Sequence, residues 1–405
     1  MAKNRSQRKK HLELLRSSQA PVKKRIISNK RHFSRVVAGL AAAGAAIALF
    51  IVFGIPYLTD VASGVDPSLR YAPKVKSEFN IQTSSQAYLA SGTLKSDEII
   101  TGDSGYNSKN DPYMDGDKII FSSDTDKSNG LFLNTVVLYD TKEGTFLELP
   151  GVEKKYDNIL ETKMSGNWAV WVDSLLLGGG RICGYDLSEN KMFVIKEYAY
   201  AIPEISLSGD YIAFMQPAGE DSQRLYLYNL RTREGVTIRL YDTAEKECGN
   251  ASVSSVDMVW PEYSTGNRSY VQRLLLTGDT AAFDNPDFGG SAYGPKTNGK
   301  DIVFTTSRIP QDGDLMLSMK GEVPVKIGEG AVSYEIGTDF VVYSKDQKIY
   351  AFGINNAMQT VQVTSEATRG LLSSVNGNKV CFYDVTDISG SMDVVRYIDL
   401  GEADG

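Results

Sequence analysis

Histidine is absent from most of this chain. Both copies, His11 and His32, lie within the first 35 residues. Beyond that stretch a Ser-His-Asp or Cys-His arrangement is excluded, and so is any histidine-ligated metal. Cysteine is scarce as well, with three copies: Cys183, Cys248 and Cys381. An odd number cannot pair fully, and the spacings match no metal knuckle. Cys183 and Cys381 fall in β-like runs and read as small buried residues, while Cys248 is expected in a Glu-rich loop. No G-x-S-x-G elbow, sialidase-type Ser-x-Asp-x-Gly-x-x-Trp box, quinone motif or nucleotide motif occurs. Long apolar runs are lacking too, with one exception.

That exception is residues 36–58, VVAGLAAAGAAIALFIVFGIPYL, an uncharged run long enough to cross a bilayer core as a helix. Residues 1–35 carry twelve Lys or Arg and one acid, Glu13. The rest of the chain holds 31 basic and 49 acidic residues, a net of −18. Positive charge before the span places the N-terminus in the cytoplasm. The expected organisation is a basic cytoplasmic tail (1–35), one transmembrane helix (36–58), a Pro-containing stalk (59–77) and an extracytoplasmic body (78–405). A cleaved leader would use Val61-Ala62-Ser63, but the apolar run is longer than a usual signal core, which favours an uncleaved anchor in the cell membrane. The acidic body disfavours nucleic acid.

The body is rich in short β-like runs. Residues 205–240, ISLSGDYIAFMQPAGEDSQRLYLYNLRTREGVTIRL, contain four of them, separated by a Ser208-Gly209-Asp210 turn, a polar loop with Pro217 and Gly219, and a turn at 231–235. The turn-plus-strand unit recurs at Asp115-Gly116-Asp117, Ser165-Gly166-Asn167, Ser254-Ser255-Val256-Asp257, Asn298-Gly299-Lys300, Ile336-Gly337-Thr338 and Asn376-Gly377-Asn378. The starts lie 38 to 50 residues apart. Tyr139-Asp140, Tyr185-Asp186 and Tyr228-Asn229 close a later strand in three units, where Asp or Asn can start a turn and Gly144 or Gly235 can take positive φ.

Seven units of four strands match the period of β-propeller blades. The fold class is therefore all-β: a seven-bladed β-propeller, with six or eight blades as alternatives, preceded by one transmembrane helix. The seventh unit ends one strand short, so a strand from residues 78–110 is expected to close the last blade. Ile205-Ser206-Leu207-Ser208-Gly209 resembles the repeat of TolB-type, WD40-like propellers. That resemblance, over about residues 110–400, implies a propeller and a protein-binding role at an envelope.

Candidate chemistry is thin. Asp124-Thr-Asp126-Lys-Ser128-Asn-Gly130 resembles the opening of a calcium loop, but glycine comes one place late and position twelve is Thr135. Asp279, Asp284 and Asp287 mark an acidic insertion. Trp171 and Trp260 occupy the core position of Phe214 and Phe304, while Trp168 lies nearer a rim. Asn250-Ala-Ser252 and Asn267-Arg-Ser269 match glycosylation triplets. The reading that follows is a non-catalytic scaffold that binds envelope protein or cell-wall glycan. It has no catalytic, cofactor or metal residue. Its alternative is a carboxylate-dependent glycan-active enzyme, requiring two acids that face each other at the central pore or a rim.

Overall fold

The computed structural model describes residues 87–89, 97–98, 106 and 108–400, with gaps at 126–131, 220, 265–267, 278–281, 355–359, 366 and 387–393. The expected membrane span at 36–58 lies outside these residues. Among the described residues no helix is long and apolar enough to cross a membrane.

Seven antiparallel sheets follow one another along the chain. The third shows the unit whole: Ile205–Ser208, Tyr211–Gly219, Ser222–Asn229 and Glu234–Asp242. The expected polar loop at Pro217 is instead the end of the second strand, where a register shift between Pro217 and Gly219 absorbs the proline. The first strand of each blade contacts the first strand of the next all the way round, including blade seven to blade one. These strands therefore line a central axis, and the body is a closed seven-bladed β-propeller. Two short segments lie at outer edges: Ala87–Leu89 runs parallel to Thr360–Gln362, and Asp97–Glu98 antiparallel to Val395–Asp399.

Each blade buries its faces against its neighbours, so the core is a ring of clusters, one at every junction. Between blades one and two, Trp171, Cys183 and Tyr185 pack on Ile120 and Val136. Between seven and one, Cys381 and Val395 pack on Met114 and Phe121. Trp171, Trp260, Phe214 and Phe304 are all fully buried, as the repeat required.

The repeated turns explain themselves locally. In the Tyr-Asp pairs, Asp140 accepts from the N–H groups of Lys142 and Glu143, and Asp186 from those of Ser188 and Glu189. Gly144 takes positive φ, but in the third blade Arg233 takes it in place of Gly235. Gly235 is required for a different reason, since a Cβ there would collide with the Tyr226 hydroxyl. Gly209 sits at φ +55°, with nothing within 4 Å of the place a Cβ would take. Gly209→Ala therefore isolates the left-handed backbone cost and is expected to lose about 1 kcal/mol in a urea denaturation series.

Candidate functional site: an acidic mouth on the central channel

The side chains that meet on the axis come from the innermost strands, three residues ahead of the repeated turn. Tyr113, Lys163, Ser206, Ser252 and Lys296 all hold that place, and Glu335 holds it one residue out of step. Lys296 of blade five reaches Glu335 of blade six at 3.0 Å and Glu204 of blade three at 3.5 Å. A contact that skips blade four must cross the channel. Lys163 of blade two lies 3.8 Å from Glu161 and 5.5 Å from the centre of the Tyr113 ring. Above this ring, at the mouth opposite the glycine turns, stand Asp111, Glu161, Glu204 and Asn250, from four successive blades.

Two of these residues have unusual backbones. Asp111 has φ 49° and Glu161 φ 54°, each at a register shift that distorts its strand. Non-glycine residues enter this region rarely, and they concentrate where surrounding structure imposes a position. Here the two irregularities brace each other. The Glu161 N–H donates to Asp111 Oδ2 at 2.7 Å, and Thr162 Oγ1 donates to the Asp111 carbonyl at 2.7 Å. The Asp111 N–H donates to the Tyr383 hydroxyl of blade seven at 2.8 Å.

The electrostatics divide the two glutamates. Burial raises the Glu161 carboxyl above its ordinary pKa; Lys163 opposes this, while Asp111 and Glu204 reinforce it. Burial also pushes Glu204 upward, but Lys296, Lys163 and a short hydrogen bond from Asn250 outweigh it, so Glu204 lies below the usual range. Glu204 nevertheless remains reachable, with 46% of its side chain exposed. Lys296 is opposed by burial yet raised overall by Glu335 and Glu204, so it stays charged. One channel mouth thus holds one carboxyl shifted to bind its proton more tightly and another shifted to release it more readily. That division is the basis of acid–base catalysis by paired carboxyl groups.

Residues singled out from sequence fare differently. Trp168 donates from Nε1 to Asp210 at 2.8 Å and packs edge-on against Phe193, so it braces blades two and three. Asn250, the start of a glycosylation triplet, turns its amide to Glu204. Asp284 pairs with Arg273 at 3.6 Å, and Asp287 caps Gly289. Asp126, Ser128, Gly130, Asn267 and Asp279 lie outside the described residues. Among the described residues no three His, Cys, Asp or Glu side chains come together as a metal group. Cys183, Cys248 and Cys381 are free and buried. Cys248 sits in a strand, Lys246–Cys248, and not in a loop. Burial pushes Cys183 and Cys248 up to about 12 and raises Cys381 as well. Alkylation at neutral pH is therefore expected to modify none of the three until the protein unfolds, a result readable by intact mass.

No protein-family model and no curated protein matches this chain. Similar solved structures are propellers. The β-propeller domain of the Trilobed protease from Pyrococcus furiosus is 12% identical, with a TM-score of 0.52, and the match covers 73% of this chain and 94% of that one. Oligogalacturonate lyase from Vibrio parahaemolyticus is 13% identical at a TM-score of 0.52, over 80% of this chain and 99% of that one. A prolyl endopeptidase is 13% identical at 0.51, and this chain spans only 45% of its length. TolB from Acinetobacter baumannii is also similar, at 13% identity and a TM-score of 0.40 over 57% of this chain and 63% of that one. At these identities the likeness is one of fold, and the structures with TM-scores above 0.5 agree with the propeller read from the sequence.

The expectation of a non-catalytic scaffold is corrected here. It rested on the missing histidine and on the missing G-x-S-x-G elbow. A propeller matched over 99% of its length is itself a lyase, so the bare fold is compatible with catalysis. Carboxyl groups need no histidine, and the Glu161 and Glu204 pair was not selectable among 49 acids. A usable signal did exist: Asp111, Glu161, Glu204 and Asn250 each stand five residues ahead of Gly116, Gly166, Gly209 and Ser255 in the first four units.

Proposed function

We propose that this chain is a glycan-active enzyme that cleaves glycosidic bonds at the acidic mouth of its channel. The observation that carries the reading is the opposite displacement of Glu161 and Glu204 within one mouth. Glu161, whose burial favours the protonated form, donates its proton to the departing glycosidic oxygen. Glu204, ionised, takes the proton from the water that attacks the anomeric carbon, and its charge stabilises the oxocarbenium-like transition state. Lys296 keeps Glu204 ionised, and Asp111 holds the Glu161 backbone in place. The name of the Vibrio parahaemolyticus lyase supports the reading, because it pairs this fold with a carbohydrate substrate.

The apolar run at 36–58 and the basic tail before it support a single-pass membrane protein with a cytoplasmic N-terminus and an extracytoplasmic propeller, which makes cell-wall glycan the accessible substrate. The antiparallel register of Asp97 with Tyr397 and Glu98 with Arg396 supports closure of blade seven by an N-terminal strand. The direct experiment incubates the detergent-solubilised full chain with a panel of cell-wall polysaccharides and counts new reducing ends. Release from at least one polysaccharide is expected, and a protein that leaves all of them intact overturns the reading.

A further inference from the structure

We propose that the cleft between blades four and five, beside the channel mouth, holds a carboxylate-bearing sugar unit of the substrate. This inference rests on the glycan reading and adds the class of glycan. The cleft is a cavity of about 570 Å³, within the range of small-molecule sites. Its wall is prearranged. Tyr263 and Tyr293 stack with centroids 5.8 Å apart, and the Arg308 guanidinium lies 4.8 Å from the Tyr263 ring centre.

The cleft is continuous with the mouth along two strands. Tyr293 shares the strand Tyr293–Thr297 with Lys296. Tyr263 lies against Gly249, where a Cβ would collide with its hydroxyl. The next residue, Asn250, reaches Glu204. The strands that border the cleft thus also carry residues of the mouth, and a glycan chain held there can extend toward the cleft.

The charges select what that unit carries. Lys246 is committed to Glu262 at 2.9 Å, and Arg308 to Glu247 at 3.2 Å. The side chains of Arg268 and Glu245 line the same cavity, and neither has a partner among the described residues. A planar guanidinium fits a carboxylate through paired hydrogen bonds, and a free carboxylate accepts from sugar hydroxyls. A neutral sugar satisfies Glu245 alone, whereas a bare anion satisfies Arg268 alone. A sugar bearing a carboxylate satisfies both.

The test uses the full chain in detergent, with calorimetric titration of trigalacturonate and of the same trimer as its methyl ester. Wild type is expected to bind the acid at least tenfold more tightly, and Arg268→Ala to erase that difference while still binding the ester. Glu161→Gln is expected to keep the preference while losing cleavage. Equal affinity of wild type for acid and ester overturns the proposal, as does an unchanged preference in Arg268→Ala. Capture of a carboxylate-terminated tripeptide through Arg268, with no sugar bound, overturns it too. Selective binding without any cleavage supports the cleft and refutes the acid–base pair alone.

Discussion

Glu161→Gln is expected to slow glycan cleavage by about 10² to 10⁴-fold, the usual contribution of a positioned acid. The informative part is the pH profile. Glu161 is raised, so its proton persists above the ordinary carboxylate range, and the wild-type rate falls only as pH rises through that raised value. Glu204 is lowered, so the rate falls as pH drops through its depressed value. Wild type should therefore show a bell-shaped profile. Glu161→Gln removes the alkaline limb, and Glu204→Gln removes the acidic one. A purely architectural role for either residue would scale the bell without changing its shape. Folding is separable by linkage. A raised carboxyl contributes stability that is full below the ordinary pKa and lost as pH rises through the folded value. Glutamine carries no such penalty, so at neutral pH Glu161→Gln should unfold at a urea midpoint no lower than wild type.

Asp257→Ala is expected to be the most destabilising single change, at about 3–5 kcal/mol. Asp257 is fully buried in the one turn unit that lacks glycine. Its Oδ1 accepts from Ser254 Oγ at 2.6 Å and from Thr297 Oγ1 at 3.0 Å, and its Oδ2 from Arg273 Nε at 2.7 Å. Ser254 Oγ in turn accepts from the N–H groups of Val256 and Asp257. Side chains thus shape this turn, where elsewhere a glycine does. Removing the carboxylate leaves Arg273, 18% exposed, with the more distant Asp284 carboxylate and the Gly299 carbonyl, which its Nη2 reaches at 3.4 Å. Those remaining partners place the expected loss near the lower end. Chemical denaturation checks it, and Asp257→Asn, which keeps the neutral hydrogen bonds, should fall between alanine and wild type.

The blades were legible because their signal is local. A turn that needs positive φ leaves a glycine, and the strand after it leaves three or four apolar residues, as in Gly209-Asp210-Tyr211-Ile212-Ala213-Phe214. Even the degenerate fourth unit kept its spacing. The site was not legible because its meaning lies between blades. Nothing near Glu204 in the sequence announces Lys296 or Asn250, which arrive from blades five and four. Glu161 is similarly mute, since its neighbour Asp111 comes fifty residues earlier. The residues that attracted notice, Trp168 and the Asp284 and Asp287 insertion, drew it through rarity or clustering. Both features serve contacts within or between blades.

The pairing of Lys296 with Glu204 and Glu335 also ties blades three, five and six together across the axis. The serine-bordered hollow at the glycine-turn end, about 370 Å³, reaches Tyr113 and Glu335 but none of Asp111, Glu161 or Glu204. The Lys296 bridge to Glu335 and Glu204 lies between that hollow and the acidic residues of the opposite mouth. On the glycan reading, a substrate that reaches Glu204 meets a charged bridge spanning three blades, so mutation of that bridge should alter both the site's charge and the packing of the inner strands.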